Sequence, residues 1–183
     1  MKTILTLAVL FCAFSTSIFA QTAPAAPASQ TAAPANPISA EVKASYTGVK
    51  NNFIKAAEKM PEEAYSFKPV AEIQTFAQRV AHIADSNART CGAIKGEQKN
   101  LNAAAKTSKA DLVAAIKEAF AYCDGIVDTL TDAEAVKIVA MGQRQRSKIG
   151  ALWGLVSHSN EVYGSMGVYM RLKGIVPPSS EGR

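Results

Sequence analysis

Apolar residues recur from Ser39 onward at steps of three and four, the spacing that places side chains on one face of an α-helix. The first predicted helix starts at Ser39 and stops before Pro61, since the residue before a proline disfavours helical geometry. In the following loop, residues 61–69, Tyr65 and Phe67 are expected to pack under the helices. The apolar stripe of the first helix consists of Val42, Tyr46, Val49, Phe53, Ala56 and Met60.

The second predicted helix has a capping signal at each end. Thr75 and Gln78 have the spacing of a capping box at its start, and Gly96 is a typical C-terminal stop. A polar linker then leads to Ser108, which is predicted to cap the third helix. The stripe of the second helix is Phe76, Val80, Ile83, Asn87, Cys91 and Ile94, and that of the third is Leu112, Ile116, Ala119, Cys123, Ile126 and Leu130.

The third helix is predicted to end near Thr131, with one short helical turn over residues 131–134. The glycine-containing basic stretch that follows, residues 141–148, is expected to form a loop. Its Arg144, Arg146 and Lys148 are either an anion-binding group beside exposed helix amides or a solvated loop.

The fourth predicted helix begins about Ser147, ends at Gly174 and carries two adjacent stripes, which indicates broad burial. One stripe is Ile149, Leu152, Val156, Ser159, Tyr163, Met166 and Met170, and the other is Leu155, His158, Val162 and Tyr169. No sustained alternation of apolar and polar residues is present, so a β-sheet is not expected. The prediction is an all-α four-helix bundle.

The N-terminal fifth of the chain, residues 1–37, has a different composition. Residues 1–20 have the charged start, apolar run and small-residue end of a secretory signal peptide, and residues 21–37 are an uncharged Ala/Pro-rich segment predicted to be a disordered spacer. The bundle is assigned to residues 38–180. We therefore expect a periplasmic or secreted protein without a membrane anchor.

Charge adds little to this picture. The formal net charge of +5 falls to +4 when Lys2 leaves with the signal peptide, and export argues against nucleic acid as a partner. The partners left open are a small ligand, an envelope protein approached through the spacer, and a second copy in a homodimer.

Two cysteines remain in the predicted mature chain, Cys91 and Cys123, and an oxidising compartment favours their pairing. The alternative is two separate buried thiols. Because each lies about 15 residues beyond a helix cap, they reach similar heights only if the second and third helices run parallel. The disulfide and an up-down-down-up order are therefore one linked prediction.

The only histidines, His82 and His158, each lie one residue before a stripe position and are expected at the edge of the core. Two imidazoles on neighbouring helices of a bundle are one way to share a metal ion. The alternative is two structural histidines whose hydrogen bonds are satisfied locally.

The segments MPEEAYSFKP, TFAQRVAHIADSN and HSNEVYGSMGVYMRLKGIVPPSS resemble the DinB-like superfamily, over about residues 39–180. The resemblance implies an up-down-down-up four-helix bundle that often binds a divalent metal through three histidines. The first two ligand positions fall on His82 and His158, but the third falls on Val162, which cannot bind metal. Glu161 or Asp85 would have to supply an oxygen ligand instead.

Two functional hypotheses follow from this departure. The first is a degenerate metal site in a module that binds a ligand or a partner, with no cofactor. The second is an enzyme, a divalent-metal-dependent hydrolase or thiol transferase using His82 and His158, with Zn, Ni or Fe as the candidate ions.

Overall fold

The computed structural model describes residues 35–182; the predicted signal peptide and most of the predicted spacer lie outside them. Five α-helices and one β-hairpin follow in chain order. The helices are α1 (Pro37–Lys59), α2 (Phe76–Lys95), α3 (Lys109–Val127), the short α4 (Asp132–Ala135) and α5 (Lys148–Leu172); the strands β1 (Ile138–Met141) and β2 (Arg144–Ser147) precede α5. Short 3-10 turns occupy Glu62–Ala64, Ala103–Ala105 and Pro178–Ser180.

The apolar stripes of the four long helices face one another, as their spacing predicts. Tyr65 is also buried and Phe67 packs against the core, so the loop after α1 does underlie the helices. The largest fully buried side chains come from all four long helices: Phe53, Met60, Phe76, Ile83, Phe120, Leu112, Ile116, Leu152, Met166, Tyr169 and Met170. The core is therefore one continuous cluster inside a four-helix bundle.

Helices α2 and α3 begin beside the same turn, Glu62–Ala64. The Ala77 backbone N–H donates to the Tyr65 carbonyl at 2.9 Å, near the start of α2. The Lys109 backbone N–H donates to a Glu62 carboxylate oxygen at 3.2 Å, at the start of α3. Both helices thus run away from one end of the bundle.

A disulfide joins these two helices further along. Cys91 and Cys123 are bonded, with their Cα atoms 5.5 Å apart. Each lies about four turns from the start of its helix, so α2 and α3 are parallel. The linked prediction of a disulfide and a parallel pair agrees with the structure.

Helices α1 and α5 run in the opposite direction to α2 and α3. The Tyr169 hydroxyl, near the end of α5, donates to the Gln74 carbonyl at 2.6 Å, just before α2 begins. The Lys59 ammonium, at the end of α1, donates to the Val176 carbonyl at 2.9 Å, just after α5 ends. The order is therefore up-down-down-up, as predicted.

The prediction of a loop over residues 141–148 was wrong. Residues Ile138–Met141 and Arg144–Ser147 form an antiparallel hairpin, with Gly142 at φ 66° in the tight turn. Two-residue hairpin turns require this positive φ, which glycine adopts without strain. The expectation of no β-structure is wrong for the same segment. Val139 and Met141 of β1 pack against the core, whereas all four residues of β2 are polar, so apolar alternation is confined to one short strand.

The start of α1 also differs from the prediction. The helix begins at Pro37, not at Ser39, and the side chain of the preceding residue, Asn36, makes no capping hydrogen bond. Proline suits the first helical position because its fixed φ is already helical. The Asp132 carboxylate of α4 accepts the Ser39 backbone N–H at 2.8 Å, so a distant side chain provides the cap.

None of the helices described within residues 35–182 is long and apolar enough to cross a membrane.

Candidate functional site

His82 on α2 and His158 on α5 meet across the surface of the bundle. Their Nε2 atoms lie 2.8 Å apart, and the ring planes are nearly perpendicular, with centroids separated by 5.0 Å. Both residues are half-buried. The structure therefore brings together the two histidines that the sequence singles out.

The neighbouring residues explain this placement. Ile83 and Ser159, one position after each histidine, are fully buried, so the imidazoles project along the edge of the core. Ser159 and Asn87 form a second polar contact between α5 and α2, with 3.3 Å between Oγ and Oδ1. The histidine pair thus belongs to a polar strip between α2 and α5 that also includes the bond from the Arg79 Nε–H to the Tyr169 hydroxyl, 3.0 Å long.

A direct bond between two Nε2 atoms fixes how many protons the pair can hold. One Nε2 must carry hydrogen and donate, while the other must be bare and accept. Two imidazolium rings would both be donors and could not bond. Burial lowers the pKa of His82, and His158, Arg89 and Arg79 lower it further, against an opposing effect of Asp85. The neutral form of His82 is therefore favoured, and two imidazolium rings at this distance are excluded.

Asp85 lies on the same helix, but its carboxylate is engaged elsewhere. Its Oδ1 accepts the Ala103 backbone N–H at 2.9 Å, and its Oδ2 accepts the Ala104 N–H at 3.1 Å. The residue is buried. Asp85 therefore fastens the 3-10 turn of the α2–α3 connection onto α2.

Glu161 lies on the outer side of His158. Its carboxylate is 3.5 Å from His158 Nδ1, not from the Nε2 that meets His82, and its side chain is 81% exposed. At that distance it orients the ring only loosely. It does not face the space between the two imidazoles.

A cavity of about 340 Å³ adjoins His82, between α2 and the Ala103–Ala105 turn. Arg89 and Lys106 supply cations to its wall, and Asp85 lies beside them. This cavity was not predicted from the sequence. Its signal was a second stripe on α2 at steps of four, three and four, namely Gln78, His82, Asp85 and Arg89.

A family model for the DinB superfamily matches residues 45–161, more than half of the chain. The chain belongs to the DinB superfamily. The sequence resemblance is thereby confirmed. No curated protein matches the chain significantly.

Three solved structures share the DinB-type fold. A DinB-like protein from Bacillus cereus ATCC 10987 has a TM-score of 0.66 at 18% identity, covering 75% of this chain and 93% of that one. A DinB-like protein from Bacillus subtilis has a TM-score of 0.59 at 22% identity, covering 73% and 92%. A conserved protein from Enterococcus faecalis has a TM-score of 0.60 at 11% identity, covering 73% and 95%. At these identities the likeness shows the fold alone.

The donor set does not fit the three-histidine metal site that the DinB resemblance implies. Val162, one helical turn after His158, is buried and supplies no donor atom. Within residues 35–182, no group of three His, Cys, Asp or Glu side chains is arranged to hold a metal ion. Two imidazoles bound to one tetrahedral zinc have nitrogens about 3.3 Å apart, so a shared ion would require these rings to separate by about 0.5 Å.

Proposed function

We propose that this DinB-superfamily chain is an exported binding module with a degenerate metal site, which recognises a small ligand or an envelope protein. One observation carries the proposal: His82 and His158 bond directly to each other at 2.8 Å, where a metal site needs both nitrogens free. The valine at position 162 removes the third ligand that would hold an ion between them.

Export is part of the same proposal. Residues 1–20 have the pattern of a signal peptide, and the Cys91–Cys123 disulfide suits the periplasm or the extracellular medium better than a reducing cytosol. An envelope protein and a second copy of the chain are accordingly the protein partners we consider.

The competing function is a metal-dependent hydrolase or thiol transferase. It would need the imidazoles to part and a further ligand to join them. Of the two carboxylates considered, Asp85 already accepts two backbone amides and Glu161 faces away from the paired nitrogens. The contacts therefore favour the binding module.

The test is metal binding by the mature chain, residues 21–183, measured by equilibrium dialysis against Zn²⁺, Ni²⁺ and Fe²⁺. Histidines four residues apart on one helical face form a recurrent metal-binding pair. We expect Val162→His to bind Zn²⁺ at least tenfold more tightly than the wild type, since a third imidazole adds a full ligand. The matched control, Val162→His combined with His82→Ala, should lose that gain. A wild type that already binds as tightly as Val162→His would overturn the proposal.

A further inference from the structure

The cavity beside His82 has a lining with two distinct parts. Arg89 and Lys106 provide positive charge, while Ala77, Ala81 and Ala104 provide small apolar surface. Its volume of about 340 Å³ lies at the lower end of the range of small-molecule sites. The dimensions suit a small organic molecule rather than a peptide or a nucleotide.

The two cations have no carboxylate partner. Within residues 35–182, the ion pairs of the fold involve other lysines and His158, but neither Arg89 nor Lys106. The one acidic side chain in the lining, Asp85, has its oxygens occupied by the amides of Ala103 and Ala104. An incoming anion therefore meets two cations that form no ion pair within residues 35–182, although the Asp85 charge offsets part of theirs.

The balance of charge selects the type of anion. Two cations and one carboxylate leave the wall with a net single positive charge, which complements a monoanion better than a dianion. A guanidinium binds a carboxylate through two parallel N–H···O bonds, which adds geometric selectivity to the charge. The alanines leave space for a short aliphatic body against α2.

We propose that this cavity binds a small aliphatic monocarboxylate, with its carboxylate on Arg89 and Lys106 and its chain against Ala77 and Ala81. The inference rests on the proposed function, because it names the ligand class of the binding module. It places the ligand beside the histidine pair without requiring an ion there.

The test is a titration of the metal-free mature chain with sodium hexanoate, followed by backbone amide NMR. We expect saturable shifts at residues 77–89 and 104–106, and about tenfold weaker binding in Arg89→Gln and in Lys106→Gln, the loss expected for one charge-assisted contact. Hexanamide, which has the same chain without the charge, should bind far more weakly. Lys55→Gln is the control for loss of one positive charge, since Lys55 is an exposed lysine on α1, and it should bind hexanoate as the wild type does.

Three results would overturn the inference: equal affinity for hexanamide, unchanged binding in Arg89→Gln, or inorganic phosphate binding as tightly as hexanoate. The last would identify a general anion site. These failures are separate from failure of the proposed function, which is decided by metal binding in the wild type. If the mature chain contains no metal and does not bind hexanoate, the proposed carboxylate site is refuted, but the proposed degenerate metal site is not.

Discussion

Helix α2 makes two contacts of different character. Toward α3 it is joined by the Cys91–Cys123 disulfide, and Asp85 fastens the connecting turn through two backbone amides. Toward α5 it meets a polar strip in which the imidazoles of His82 and His158 share one hydrogen bond. The first contact is covalent and the second is non-covalent, while the charged cavity is lined by residues of both, Asp85 and Ala104 from the first and His82 from the second.

The polar residues of α2 accordingly differ in how fully their hydrogen bonds are satisfied. Asp85 is buried with both carboxylate oxygens bonded, as a side chain that secures a fold should be. On the α5 side, Asn87 Nδ2 is buried without a hydrogen-bond partner in the described structure, and His82 lines the cavity. Within residues 35–182 the other buried side-chain polar atom without a hydrogen-bond partner is Ser39 Oγ on α1, so Asn87 is the one α2 side chain with such an atom.

Reducing the disulfide should have the largest effect on stability. The bond joins residues 32 positions apart, and closing a loop of that length stabilises a fold by about 3–4 kcal/mol. Urea unfolding of the mature chain with and without a phosphine reductant measures the difference. A Cys91→Ala/Cys123→Ala variant is the control and should not respond to the reductant. Equal stability of the oxidised and reduced wild type would contradict the covalent character of the α2–α3 contact.

Asp85→Ala should lower the free energy of unfolding by about 3 kcal/mol, because the Ala103 and Ala104 amides would lose a charged acceptor. Asp85→Asn keeps one acceptor oxygen and should lose roughly half as much. Urea denaturation of both variants checks the order. If Asp85→Ala were as stable as the wild type, Asp85 would return as a candidate metal ligand.

The histidine contact should be weaker. A double-mutant cycle with His82→Gln and His158→Gln should give a coupling free energy of about 1 kcal/mol, the net value of one partly buried hydrogen bond. Urea unfolding of the four proteins near neutral pH supplies the cycle. Zero coupling would mean that the imidazoles do not bond in solution.

The smallest expected effect is on how the free energy of unfolding depends on pH. The pKa of His82 is lowered in the fold, so the unfolded chain binds more protons below the ordinary histidine value of about 6.5. The stability contributed by neutral His82 is therefore complete above that value and is lost as pH falls toward the lowered pKa. Urea unfolding between about pH 7.5 and about pH 5.5 should show this loss, and His82→Gln should show less of it. An identical pH dependence in the variant would contradict a lowered pKa of His82 in the fold.

Much of the fold could be predicted because each long helix carries a regular stripe. Thr75, Ser108 and Ser147 also supply side-chain caps at the positions expected. The hairpin escaped prediction because its apolar alternation is only Val139 and Met141, and the partner strand has no apolar residue. The hairpin is stabilised by packing against the core, and the local sequence gives no information about that packing.

The candidate site was only partly predictable. Spacing indicates that His82 and His158 lie at the core edge, but their 2.8 Å separation depends on how closely α2 and α5 pack. The role of Asp85 depends on the path of the α2–α3 connection, which has no periodic pattern to reveal it. Lys106 belongs to that same connection, so its place in the cavity wall with Arg89 could not be predicted either.

The central claim is that the imidazoles of His82 and His158 satisfy each other and do not hold an ion. Elemental analysis of the mature protein, exported and purified without added metal or chelator, tests this most directly, with His82→Ala analysed alongside. We predict no stoichiometric transition metal in either protein. One zinc, nickel or iron ion per wild-type chain, absent from His82→Ala, would contradict the account.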